Sequence, residues 1–302
     1  MWFWFSLIAL VCWSGSDLFS KIGCQDADDK YSHLKMVMAV GLVMGLHAAY
    51  EIFIGGTEIN GNIILTYLPV SLLYISSMTI GYIGLRYIEL SISSPICNSS
   101  GALVAVLALA TGGLGELVPA QLIATALVCV GVIGLGIVEA REDDDLRAAR
   151  QQASNHRYAK SALALILPVI YCLLDALGTF ADSRVLETLD EDSANCAYEL
   201  TFLLAAIVCF VYVVLIKKSK LLPKREAPKY AGALCETAGQ FAYIYALADT
   251  EHVALAAPII SAYCVASVLW SRIFLKEKLS WKHYGMIALV VAGIVILGVY
   301  DA

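Results

Sequence analysis

Charged residues are scarce in this chain, at 15% of 302 residues, where a soluble domain carries about 25%. That shortage excludes an ordinary soluble domain, as do the 60% hydrophobic share and the mean hydropathy of +0.75. Metal-ligand spacing is absent too. Nine cysteines occur (Cys12, Cys24, Cys97, Cys129, Cys172, Cys196, Cys209, Cys235, Cys264), without a CxxC pair or a His/Cys cluster. A zinc site and a disulfide framework are therefore not expected, and the thiols read as small apolar packers. The N-terminal stretch MWFWFSLIALVCW has neither a basic n-region nor a small-residue cleavage site. It reads as a first membrane span, with Trp2 and Trp4 in the interfacial aromatic belt, rather than as a removable signal peptide. No cofactor and no nucleic-acid partner is expected.

What the chain does have is a succession of apolar segments. A span needs about 20 mostly apolar residues, and segments of that kind lie near 2–22, 34–54, 63–85, 90–111, 118–138, 161–182, 194–216, 229–248, 252–273 and 282–300. Runs of this length in lipid are helices, because an open strand would leave its backbone unpaired. The expected fold class is an all-α integral membrane protein of ten transmembrane helices. Between the fifth and sixth segments lies a polar seam, Glu139–Lys160.

The basic residues alternate sides. With ten spans, every one of the 20 lysines and arginines except Arg184 falls on one side. Excess Lys and Arg mark the cytoplasmic side. The seam is then cytoplasmic, both termini face outside, and the expected location is the plasma (inner) membrane.

The two sides of the seam also resemble each other. Leu7–Gly23 aligns without gaps on Leu165–Ala181, pairing Trp13 with Tyr171 and Asp17 with Asp175. With a two-residue gap, SSPICNSSGALVAVLALATGGLGEL aligns on LAAPIISAYCVASVLWSRIFLKEKL, pairing Pro95 with Pro258 and Glu116 with Glu277. Five spans per half is an odd number, so the second copy inserts upside down. The expected organisation is two inverted five-helix repeats, 1–140 and 161–302, joined by a linker at 141–160. Inverted repeats are a hallmark of secondary transporters.

Several motifs resemble one family. Trp13 is followed eight residues later by Lys21, with a glycine at Gly15. In the second half stand Tyr245-Ala246-Leu247, Ala256-Ala257-Pro258, Phe274-Leu275-Lys276-Glu277-Lys278-Leu279-Ser280, then Gly285 and Gly293. This series is similar to the ten-helix EamA-type branch of the drug/metabolite transporter superfamily, over nearly the whole chain. The resemblance implies a proton-linked or facilitative carrier of small metabolites with a cavity between its halves. It implies no substrate. Asp17 and Asp175 depart from the small or apolar residues usual there.

Candidate site residues follow from depth. Asp17 and Asp175 each lie roughly 6–7 Å past the midplane of a ~30 Å core, on opposite sides, at about 1.5 Å of rise per residue. Each has an aromatic residue one turn earlier, Trp13 and Tyr171. A carboxylate in a span marks a functional pathway by default; the bland alternatives are an Asp17–Lys21 pair and a Thr179 cap on Asp175. Glu236 sits near mid-depth with Gln240 and Tyr243 on following turns, placed to carry a proton or bind a cation. Glu199 reads as an outer vestibule charge or a solvated interfacial one, and His47 with Glu51 as structural. Span 4 carries Ser94, Pro95, Asn98, Ser99 and Ser100; Pro95 frees a carbonyl, Asn98 can serve it or a substrate, and Pro258 with Ser261 and Tyr263 makes the matching break. Paired broken helices point to a transporter's site and here to its hinges. Tyr82, Tyr243, Tyr245 and Trp270 add aromatic surface.

Acids and aromatics without basic residues away from span ends favour a cationic or zwitterionic cargo, to which aromatic faces add cation–π attraction. The reading is a proton-coupled secondary carrier of a small organic cation or amino-acid-like compound, working by alternating access in the lipid bilayer. A carrier or channel for Mg²⁺, which prefers hard oxygen ligands, is the alternative. An intramembrane aspartyl protease is disfavoured because its Tyr-Asp and Gly-x-Gly-Asp signatures are missing: Asp17 follows Ser16 and Asp175 follows Leu174. Gly285, Ala288 and Ala292 allow close packing, inside a monomer or at a homodimer seam.

Overall fold

The computed structural model describes residues 1–26, 28–113, 119–140, 162–276 and 279–301. The linker 141–160, Glu116 and Glu277 lie outside the described residues. The helices are α1 (Trp2–Cys24), α2 (Ser32–Tyr50), α3 (Gly61–Tyr87), α4 (Leu90–Asn98), α5 (Ser100–Ala108), α6 (Pro119–Ala140), α7 (Ala162–Val185), α8 (Glu191–Phe210), α9 (Pro223–Leu247), α10 (Val253–Ser261), α11 (Tyr263–Trp270) and α12 (Trp281–Asp301). No strand occurs among the described residues.

These helices form ten rods, because α4 runs into α5 and α10 into α11. Eight rods are long and apolar enough to cross a membrane. The last, α12, has an apolar stretch from Trp281 to Leu297. The remaining one, α9, is less apolar because Glu236, Thr237, Gln240 and Tyr243 ride on it. It also begins at Pro223, six residues before the expected start at 229. Proline at a first helical turn gives up no hydrogen bond.

Local chemistry sets the other boundaries. The Asn60 side chain accepts from the amides of Asn62 and Ile63, both at 3.0 Å, and so caps α3. Asp190 caps α8 through the Ser193 amide at 2.9 Å. Both satisfy orphan donors of a first turn. Four rods close in a π-turn: Glu51–Gly55 after α2, Leu109–Gly113 after α5, Val211–Ile216 after α8 and Ser271–Leu275 after α11. Gly56, at φ +80°, ends the first of these in a left-handed conformation that glycine adopts without strain.

The two broken rods fail at comparable places. The α pattern is interrupted at Ser99 (φ −62°, ψ −10°) and at Ala262 (φ −67°, ψ −1°), each four residues after a proline. Asn98 does not serve the carbonyl that Pro95 frees; it donates to the carbonyl of Ser94 at 2.8 Å.

Packing runs between the halves of the chain. α1 lies along α9 and α3 along α7, while α2 pairs with α8 and α6 with α12. α5 crosses α10, and α4 meets α11. Close approach depends on glycine at several crossings. A Cβ on Gly41 would stand 2.4 Å from the Phe202 carbonyl oxygen and 2.6 Å from the Ala206 Cβ. Gly41→Val therefore forces α2 and α8 apart and is expected to cost about 1–3 kcal/mol, the usual range for overpacking. Thermal unfolding in detergent checks this, with exposed Leu42→Val as the control that leaves the melting temperature unchanged.

One end of the bundle is basic and tied by buried ions. Lys35 meets Asp29 at 2.7 Å and Glu226 at 3.5 Å, and donates to the Lys220 carbonyl at 2.7 Å. Lys229 meets Glu226 at 3.0 Å. Arg86 donates to the Asp29 carbonyl and to Ser32. Fully buried Lys21 donates to the carbonyls of Leu85 and Ile88 at 2.8 and 2.6 Å. These contacts hold the α1–α2 link, the end of α3 and the start of α9 together.

Candidate functional site

A cavity with about 930 Å³ of space, its open mouth included, lies among α1, α3, the two broken rods, α7, α8 and α9. Three carboxylates line it, one from each of three helices: Asp17 (α1), Asp175 (α7) and Glu236 (α9). None of the described side chains lining it is Lys, Arg or His.

The acids are held by serine hydroxyls from neighbouring helices. Asp17 Oδ2 accepts from Ser94 at 2.5 Å and Ser267 at 2.7 Å. Asp175 Oδ2 accepts from Ser100 at 2.7 Å, and Glu236 Oε2 from Ser16 at 2.6 Å. Thr179 does not cap Asp175; its hydroxyl accepts from Tyr74 at 3.2 Å. A neutral hydroxyl lends a carboxylate one hydrogen bond and no counter-charge, so each acid stays receptive to a cation.

Opposite polarity is also on offer. Trp13 Nε1, Tyr82 Oη and Gln240 Nε2 are buried with no hydrogen-bond partner among the described residues, and all three residues line the cavity. A buried polar group without a partner is costly, and a donor facing a cavity finds its partner in whatever fills the space. The rings form one wall. Trp13 lies 5.0 Å from Tyr243 and 5.8 Å from Tyr263, centroid to centroid. A Cβ on Gly239 would meet the Trp13 ring at 2.4 Å, so that glycine sets the ring's seat against α9.

Of the residues singled out in the sequence, Asp17, Asp175, Glu236, Gln240, Asn98, Trp13, Tyr171, Tyr243, Tyr82 and Tyr263 line this one cavity. Glu199 does not. It is buried elsewhere, with both carboxylate oxygens 2.9 Å from His47 Nδ1 and an Asn195 contact at 3.2 Å. Glu51 Oε1 stands 3.7 Å from Nε2 of that imidazole. Pro95 and Pro258 sit inside α4 and α10, one turn before each break. Tyr245 and Trp270 bond to Asp192 and Ser14 and do not line the cavity. Ser94 and Ser100 stand out in the sequence only as polar residues of the Pro95 break, while Ser16 and Ser267, together with Tyr74, Tyr198 and Asp182, were not singled out by sequence reasoning. Serine is common in packed membrane helices, so nothing in the sequence separates these serines from the others.

Residues 162–299 match the EamA-like transporter family. No curated protein matches the chain. A solved structure described as "Crystal structure of protein" superposes with a TM-score of 0.64 at 12% identity, covering 98% of this chain and 96% of that one. At that identity the likeness concerns the fold alone.

Proposed function

We propose, from the match of residues 162–299 to the EamA-like transporter family, that the chain carries a small organic cation or zwitterion across a membrane by alternating access. That likeness and the eight long apolar helices support a multi-pass membrane transporter; the cargo is read from the cavity. The observation that carries the reading is the composition of that cavity among the described residues: three serine-held carboxylates, no basic side chain and an aromatic wall. Asp17, Asp175 and Glu236 each offer a carboxylate to an ammonium group in that space, with the Trp13, Tyr243 and Tyr263 rings as cation–π surfaces. The unpartnered donors of Gln240, Trp13 and Tyr82 suit an acceptor elsewhere on the same molecule, such as a carboxylate.

The architecture proposed is a pair of inverted five-helix repeats. Exchanging α1–α6 for α7–α12 maps the packing pairs onto one another: α1 with α9 becomes α7 with α3, and α1 with α11 becomes α7 with α5. The π-turns fall on corresponding rods as well. In this arrangement Pro95 and Pro258 mark the hinges, the basic end faces the cytoplasm under the positive-inside rule, and both termini face outside. For Mg²⁺ the support is weaker. Among the described residues no three His, Cys, Asp or Glu side chains stand close enough to share an ion.

The test is the melting temperature of the purified protein with tetraethylammonium, L-alanine, citrate or MgCl₂. A ligand of the native state at 100 times its Kd adds about 2.7 kcal/mol of stability. Stabilisation by the ammonium compound or the zwitterion, and not by citrate, is expected. A response to MgCl₂ alone would move the assignment to the metal, and a response to citrate alone would refute it.

A further inference from the structure

A fourth acid, Asp182, stands apart from the cavity carboxylates. It lies three residues before the end of α7, at the end of the bundle opposite the basic one, and is fully buried. Its partners are phenols. Tyr67 donates to Oδ1 at 2.7 Å, and Tyr74 faces Oδ2 at a long 3.4 Å. Tyr74 in turn hydrogen-bonds to Tyr243 and donates to Thr179 at 3.2 Å. Tyr74, Thr179 and Tyr243 line the cavity, while Tyr67 and Asp182 do not.

The charged and titratable groups around it can be taken helix by helix. α3 presents Tyr67 and Tyr74, α9 presents Tyr243, and α8 presents Tyr198, whose ring packs on Tyr74 at 5.9 Å. On α7 itself, Asp175 lies two turns earlier and is bonded to Ser100 of α5. Arg184, two residues on, is exposed and engaged with Glu187 and Thr111. Among the described residues no ion pair reaches Asp182. A buried carboxylate without a counter-charge survives either by taking hydrogen bonds from donors or by taking a proton.

The phenols permit both states. With Asp182 ionised, Tyr67 and Tyr74 donate to its two oxygens. With Asp182 protonated, its hydroxyl donates to the Tyr74 oxygen and Tyr74 donates onward to Tyr243 or Thr179. We propose that Asp182 is a proton-binding site, joined to the central cavity by a hydroxyl relay through Tyr74 and Tyr243. Each transfer breaks one O–H bond and forms the next along the chain, so one proton moves between Asp182 and an acceptor in the cavity. Asp175, one turn from Thr179, is the nearest such acceptor on the same helix. The use of this proton in coupling rests on the transport reading above; the binding site does not.

Infrared difference spectra of the purified protein, titrated from alkaline to acid pH, test the site without a cargo. The expected result is a protonated-carboxyl stretch that grows as pH falls and is missing in Asp182→Asn. Tyr67→Phe keeps the ring and removes a donor, and is expected to change the proton affinity of that band about tenfold. It also serves if the asparagine variant fails to fold. A titration identical in both variants and the parent would overturn the proposal. So would a band on Asp182 that stays constant with pH, since the residue would then be a permanently protonated packing group. Tetraethylammonium binding measured on the same samples separates the two ideas. Binding with no Asp182 titration removes this site and leaves the carrier reading standing. Titration in a protein that binds neither tetraethylammonium nor L-alanine keeps the site and removes the cargo.

Discussion

Glu236→Gln is expected to weaken binding of tetraethylammonium roughly 10- to 150-fold. The substitution keeps the side chain's length and the acceptor that Ser16 donates to at 2.6 Å, so the seat on α9 survives. What it removes is charge. A hydrogen bond or close contact to an ionised group contributes about 1.5–3 kcal/mol, and each 1.4 kcal/mol is about tenfold in Kd. The melting temperature without ligand should stay near that of the parent, because Glu236 shares its cavity with two other acids and, among the described residues, no basic side chain. Titration calorimetry of parent and variant decides the matter. An unchanged Kd would make Glu236 a packing residue and put the cation between Asp17 and Asp175 alone.

The largest effect on stability is expected at the basic end, from Lys35→Met. Lys35 and Asp29 meet at 2.7 Å with side-chain exposures of 3% and 7%, and Glu226 is nearly as buried at 9%. Breaking a buried pair by removing one partner costs about 3–5 kcal/mol, because the other charge remains buried without compensation. Methionine fills much of the lysine's volume, so the loss measured is electrostatic rather than a cavity. The double variant Lys35→Met/Asp29→Asn should recover part of the stability, since residues in contact are not additive. Equal melting temperatures for Lys35→Met and the parent would show that Asp29 and Glu226 are solvated despite their low exposure.

Much of the architecture was legible from composition and spacing. Apolar length marked the rods, and the structure moves their ends only where local chemistry acts. Pro223 starts α9 early, and π-turns prolong α2 and α8. The prolines announced the two broken rods, although the α pattern gives way four residues later, at Ser99 and Ala262. The acids were legible because a carboxylate in an apolar run is costly and therefore conspicuous. Depth counting put Asp17 and Asp175 on opposite sides of the midplane; the structure brings both to one cavity with Glu236.

What the sequence could not reveal is partnership. Asp17 followed by Lys21 reads as a helical i,i+4 pair. In the fold Asp17 is instead bonded to Ser94 and Ser267, which lie far away in the chain. His47 and Glu51 likewise read as a local pair, yet the shorter contact of His47 is to Glu199, 152 positions on. Asp182 was not singled out in the sequence, and only folding surrounds it with Tyr67 and Tyr74 from α3.

The sequence by itself determined that this is a helical membrane protein, roughly where each span lies, and which side chains are too polar to be buried without a reason. These properties follow from the free energy of moving each segment from water into hydrocarbon, which depends on local composition. The tertiary structure alone decided which acids share a space, which serines hold them and which phenols surround Asp182. Those outcomes depend on how α1, α3, α7 and α9 are packed, and helix packing is set by shape over distances that no sequence window spans.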